Sequence, residues 1–207
     1  MLVTGFEPFG GDTSNPSWTV AQALNGVELN GVRVVSKRLP VDGRKAPRAL
    51  KNAIVRTQPA AIVMLGLARG RVQVALERVA VNIMDYRIPD NAGRVQKGQS
   101  IHPDGPDAYL SSLPVDDILK VWRTRKLPGY VSNSAGLYLC NQVFYVARHA
   151  ASVPAGLIHL PSDETLVLDR QEAFVPLEFQ VQMVRLALEV TAASLEPIRP
   201  KKRRSRR

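Results

Sequence analysis

Seven consecutive residues, Ala60-Ala61-Ile62-Val63-Met64-Leu65-Gly66, carry no polar side chain. The run has strand length and stops at a glycine, the pattern of a strand buried on both faces. Such a strand needs helices above and below it, and the rest of the chain supplies them. Apolar strand segments read over 2–4, 32–35 and 155–161, and Tyr130-Val131 ends another. Helical spacing recurs over 16–24, 46–56, 116–126, 140–149 and 177–195. Strands alternating with helices throughout predict an α/β fold with a mostly parallel, twisted sheet covered on both faces. The expected organisation is one domain over 1–198 followed by a basic tail at 199–207.

At 207 residues the chain can bury an ample core. Its net charge of +10 raises the question of a nucleic-acid partner. Seven of those charges are Arg199, Lys201, Lys202, Arg203, Arg204, Arg206 and Arg207, so the balance without them is about +3. The tail reads as a solvated extension, with weak, salt-sensitive contact to nucleic acid as its functional alternative. One cysteine excludes an intramolecular disulfide. No apolar run approaches the roughly 20 residues that span a bilayer. The chain opens on a strand with no signal-peptide core, so a cytoplasmic location with no membrane partner is the expectation. The long turn-rich connection over 90–106 is of the kind that serves function or contacts another subunit.

Two breaks in the pattern draw attention. Gly5-Phe6-Glu7-Pro8-Phe9-Gly10-Gly11 joins the first strand to a helix that Asn15 caps and Pro16 opens. A strand, a glycine-rich loop and a helix in that order bind ligands at the carboxyl end of open sheets. The spacing fits neither G-x-G-x-x-G nor the P-loop, which weakens a nucleotide reading. Phe6 and Phe9 either plug the core or wall a small apolar pocket. The second break, Ser132-Asn133-Ser134-Ala135-Gly136, leads to Cys140 at the start of a predicted helix. Free amides and the positive end of the dipole gather there and favour a thiolate. A lone cysteine is otherwise a small buried hydrophobe.

Six blocks then resemble one family in order. They are Thr4-Gly-Phe-Glu-Pro-Phe-Gly-Gly11 with Asn15-Pro-Ser-Trp18, Glu77-Arg-Val-Ala-Val-Asn82, Arg87-Ile-Pro-Asp-Asn91, Pro103-Asp-Gly-Pro106, Ser132-Asn-Ser-Ala-Gly136 with Cys140-Asn141, and Gly156-Leu-Ile-His-Leu-Pro161. They resemble the motifs of pyroglutamyl-peptidase I, also called pyrrolidone carboxyl peptidase, from residue 2 to about residue 195. The resemblance implies an α/β/α sandwich, a homotetramer and a cytosolic cysteine omega-peptidase that needs no metal or cofactor and removes N-terminal pyroglutamate from peptides. It puts the catalytic Cys, His and Glu on Cys140, His159 and Glu77. It gives the oxyanion donors as the Cys140 backbone N–H and Arg87.

The residues agree with that chemistry. A thiol nucleophile needs a base that takes its proton and later protonates the leaving amine. His149 lies nine residues beyond Cys140, about 13.5 Å along a helix, and His102 lies in a turn. His159 ends a buried strand, expected at the sheet edge where the Cys140 loop emerges. Glu77 would orient the imidazole, or else be a surface carboxylate paired with Arg78. Phe6, Phe9, Ile88, Tyr138 and Leu139 would form an apolar slot for the flat lactam, with Asn15 and Val41 beside it and backbone groups near Leu67 pairing with the ring. The charged amine of a free N-terminal glutamine would be rejected. Three residues depart from the family pattern: Val41 for threonine, Leu67 for glutamine and Arg69 for glycine. A positive φ at 69 would strain an arginine by about 1–2 kcal/mol. That departure opens a second reading, a catalytically impaired relative that binds pyroglutamyl or other peptides. A third is an RNA-associated protein acting through its tail.

Overall fold

The computed structural model describes residues 1–195, so the basic tail at 199–207 and its expected nucleic-acid contact lie outside the described residues. The elements run β1 (Leu2–Phe6), α1 (Pro16–Ala23), β2 (Glu28–Leu29), β3 (Val32–Arg33), β4 (Val35–Leu39) and α2 (Lys45–Thr57). They continue with β5 (Ile62–Leu67), β6 (Val74–Glu77), β7 (Val79–Val81), β8 (Ala108–Leu110) and α3 (Val115–Thr124). The chain then forms β9 (Gly129–Ser132), α4 (Leu139–Ala150), β10 (Ala155–Leu160) and α5 (Leu177–Ser194).

Six strands form one sheet in the order β4-β1-β5-β10-β6-β9. The first four are parallel, while β6 runs antiparallel to β10 and β9 runs parallel to β6. Alternation along the strands divides the interior into two cores. Val3, Val63, Leu65, Ile158 and Leu160 face α1, α3 and α5. Leu2, Ile62, Met64 and Leu157 face α2 and α4. The result is the expected α/β/α layering.

The helix starts follow from local chemistry. Asn15 Oδ1 accepts the Ser17 N–H at 3.1 Å, and Pro16 sits at the first turn, where its missing N–H costs nothing. Asp42 Oδ1 accepts the Arg44 and Lys45 N–H groups ahead of α2. No side chain caps α4, which leaves its first amides unclaimed by a cap.

Two expectations need correction. The sheet strand expected over 32–35 is instead Val35–Leu39, while Val32–Arg33 pairs with β2 in a separate hairpin. An edge strand with exposed Lys37 and Arg38 lacks the apolar signal of a buried one. Nor does the Cys140 loop leave at the carboxyl end of β10. Ser132 is level with Glu77, which is level with Leu157, so β9 ends toward the opposite edge and residues 133–138 carry the chain back. A buried strand reads the same in either direction.

Candidate active site

Parity along three adjacent strands assembles the site. On β5, Ile62 and Met64 face α2 and α4, so Gly66 faces them too. On β10, Leu157 faces that side, and so does His159, paired with Gly66. On β6, Glu77 lies opposite Leu157, which makes it the diagonal neighbour of His159 on the same face. α4 lies over this face and begins with Leu139 and Cys140. Three segments distant in sequence therefore meet at one point.

Gly66 permits the meeting. A Cβ built there would lie 2.6 Å from Cys140 Sγ and 3.2 Å from His159 Nε2. The sulfur and that nitrogen are thus no farther apart than those two distances together. The other ring nitrogen, Nδ1, is 2.7 Å from Glu77 Oε1. Glu77 is 1% exposed and His159 4%, so Glu77 is not the surface partner of Arg78. Its partner is Arg71, whose Nη1 donates to the same Oε1 at 2.7 Å and whose Nη2 reaches the Ser134 carbonyl at 3.3 Å. Arg71 ties the Glu77 carboxylate to the loop ahead of the thiol. An arginine in a glycine-rich loop carries no sequence signal of its partner.

The helix that carries Cys140 is anchored behind the site. Asn141 Oδ1 accepts the Val81 N–H at 2.9 Å, and its amide donates to the Val81 and Ile83 carbonyls. Gln142 accepts from Tyr86 Oη at 2.8 Å and donates to the Gly43 carbonyl at 2.9 Å. His102 and His149 lie against each other, rings tilted by 37° with centroids 4.1 Å apart, and His149 Nδ1 is engaged with Tyr109 Oη at 2.8 Å.

Electrostatics correct one expectation. Burial pushes the Cys140 thiol up to about 12, with the Glu77 carboxylate adding to the rise. Arg71 and the local amide oppose it and lose. The residue keeps partial exposure, and the direction stands: a thiol, not a thiolate, at neutral pH. Burial likewise lowers His159, against the pull of Glu77. For Glu77, burial alone would raise the carboxyl, but the hydrogen bond and charge of His159, then Ser132 and Arg71, hold it below its usual range. At rest the pair is neutral thiol and neutral imidazole beside a carboxylate.

Phe6, Phe9, Asn15, Val41, Leu67, Tyr138 and Leu139 line a slot that opens on Cys140. Phe9 and Tyr138 both contribute to its lining, their rings tilted by 41° with centroids 6.3 Å apart. Asn15 spends its side chain internally, donating to the Glu7 carbonyl at 3.0 Å and accepting from Ser17. Ile88 is not a wall of the slot. It is 44% exposed and lines, with Arg71, Asp85 and Arg87, a neighbouring cavity of about 800 Å³ that shares Tyr138 with the slot. Residues after a turn can be ordered in sequence yet face the other side of one aromatic ring. Arg69 adopts no positive φ; Gly70 does, at 77°. The strain that motivated an impaired relative is absent. Among the described residues no group of three or more His, Cys, Asp or Glu side chains could hold a metal, and no helix is long and apolar enough to cross a membrane.

Comparison with known proteins gives the site a context. The family model described as pyroglutamyl peptidase matches residues 1–194. The pyrrolidone-carboxylate peptidase of Deinococcus radiodurans is 44% identical over 93% of this chain and 94% of its own. That of Bacillus licheniformis is 39% identical over 96% and 95%. A solved mutant pyrrolidone carboxyl peptidase from the hyperthermophile Pyrococcus furiosus superposes with a TM-score of 0.92 at 37% identity, covering 94% of this chain and 99% of that one.

Proposed function

The chain belongs to the pyroglutamyl peptidase family, and from that premise we propose how it cleaves the amide after an N-terminal pyroglutamyl residue through a thioester on Cys140. The observation that supports this reading is the convergence of Cys140 Sγ and His159 Nε2 over Gly66, with Glu77 behind the imidazole. As the substrate docks, His159 Nε2 takes the thiol proton while Sγ forms a bond to the pyroglutamyl carbonyl carbon. The oxyanion is met by the Cys140 backbone N–H, with Arg87 closing in from the adjoining cavity. His159 then gives its proton to the amine nitrogen, the C–N bond breaks, and the peptide leaves with a free N-terminus. Water loses a proton to His159, adds to the thioester carbon, and expels the sulfur, which recovers the proton. Glu77 keeps Nδ1 protonated and stabilises each imidazolium.

The slot supplies selectivity. Phe6, Phe9 and Tyr138 hold a flat uncharged ring, Leu139 and Val41 close its end, and backbone groups near Leu67 pair with the lactam. The departing peptide runs toward the wider cavity beyond Tyr138. Residues 1–198 constitute the catalytic unit, working in the cytoplasm as a homotetramer with the 90–106 connection at a subunit contact. The tail contributes at most weak contact with nucleic acid.

Turnover of a chromogenic pyroglutamyl amide under reducing conditions tests the proposal, and a protein silent from pH 6 to 9 contradicts it. The pH dependence carries a further expectation. Because His159 is lowered, the neutral base persists as pH falls, and kcat/KM should decline only below about 6.5. Because the thiol is raised to about 12, no alkaline limb should appear near 9. An alkaline limb at about 9, from an imidazolium that loses its proton, would instead indicate a preformed thiolate–imidazolium pair.

A further inference from the structure

Arg69 stands where the family pattern leads one to expect glycine, two residues beyond Leu67 of the slot lining, and its guanidinium is engaged. Nη2 forms an ion pair with the Asp12 carboxylate. Nη1 lies 3.7 Å from Glu172, and Arg170 reaches the other Asp12 oxygen at 3.4 Å. The Asp12 side chain is only 2% exposed, so its charge depends on these cations. The Asp12 N–H donates to the Phe9 carbonyl at 3.2 Å, closing a turn through Gly10 and Gly11, whose φ values are 64° and 87°. A Cβ on either glycine would meet nothing within 4 Å, so that side of the turn is open. What fixes the turn is its end, and its other end is the aromatic wall of the slot.

We propose that Arg69 is a positioning residue: through Asp12 it holds Phe9 over the lactam slot, so that an ion pair sets the width of an apolar pocket. This rests on the reading of the slot given above. The geometry favours it over a plain loop staple, because Asp12 is joined to Phe9 within one turn while Phe9 lines the slot beside Tyr138, their centroids 6.3 Å apart. Losing the pair would leave the chemistry at Cys140 in place and loosen the grip on the ring. The effect belongs in KM.

The test is Arg69→Gly, Asp12→Asn and their double mutant, assayed on a pyroglutamyl amide, with hydrogen exchange measured over residues 6–14. Arg69→Gly should raise KM about tenfold with kcat within about twofold, the scale of a loosened apolar contact. Asp12→Asn should do the same, and the double mutant should add little to either. Arg69→Lys should recover part of the loss. Exchange at 6–14 should quicken in Arg69→Gly. An unchanged KM, additive single effects, or unaltered exchange would each overturn the proposal. If the wild type turned over no pyroglutamyl amide, the functional reading would fail, and the exchange comparison would still decide whether Arg69 fixes the Phe9 turn.

Discussion

Cys140→Ala is expected to lower pyroglutamyl amide hydrolysis by at least about 10⁴-fold with the fold intact, as removal of a nucleophile does when no other group can replace it. Among the 207 residues there is no second cysteine to take over. The oxyanion amide and the slot remain, so the variant should still bind the product. The same variant carries a stability signature. The folded thiol holds its proton up to about 12, whereas an unfolded one releases it near 9. Between those values the native state binds more protons than the unfolded state, so wild-type stability falls as pH rises through that window. Alanine has no proton to lose. Denaturant unfolding at pH 7 and pH 10 should therefore show a smaller alkaline loss for Cys140→Ala than for wild type. Equal losses would mean that the thiol is not buried as described.

Gly66→Ala is expected to cut kcat/KM by at least about a hundredfold, the order that a 1 Å misplacement of reacting groups costs. The new methyl would sit 2.6 Å from Sγ and 3.0 Å from His159 Cδ2. Both must move apart, and they are the two groups that exchange a proton in the proposed mechanism. Gly66 does not have a positive φ, so the backbone accepts alanine and the loss is not one of chain geometry. Alkylation of Cys140 by iodoacetamide reports the same displacement without substrate. It should slow in Gly66→Ala, because the base that receives the thiol proton has been pushed away. Wild-type rates in both assays would refute the contact.

The residues legible in the sequence were those whose role depends on local chemistry. Asn15 and Pro16 mark the start of α1 through capping, and the polar break before Cys140 marks the start of α4. The apolar stripe of β5 fixes a buried central strand, and period-two alternation puts Gly66, His159 and Glu77 on a common face once the strand order is known. The order itself was not legible. Nothing in Val74–Glu77 or Gly129–Ser132 says that these strands run against β10. The β7–β8 pairing joins segments separated by a long turn-rich connection, so no hairpin signal exists. Arg71, Arg69 and Asp12 act through partners far away in sequence, which no spacing rule reveals. The thiol was misjudged for a related reason. A helix start favours a thiolate, but the depth of burial that overrides it is a property of the assembled layers.

The most direct test of the account is intact-protein mass spectrometry of the enzyme quenched during turnover of an activated pyroglutamyl ester. A covalent adduct of one pyroglutamyl group, located by peptide mapping on Cys140 and absent from Cys140→Ala, is the predicted result. An adduct on any other residue, or steady turnover of the amide by Cys140→Ala at the wild-type rate, would contradict it.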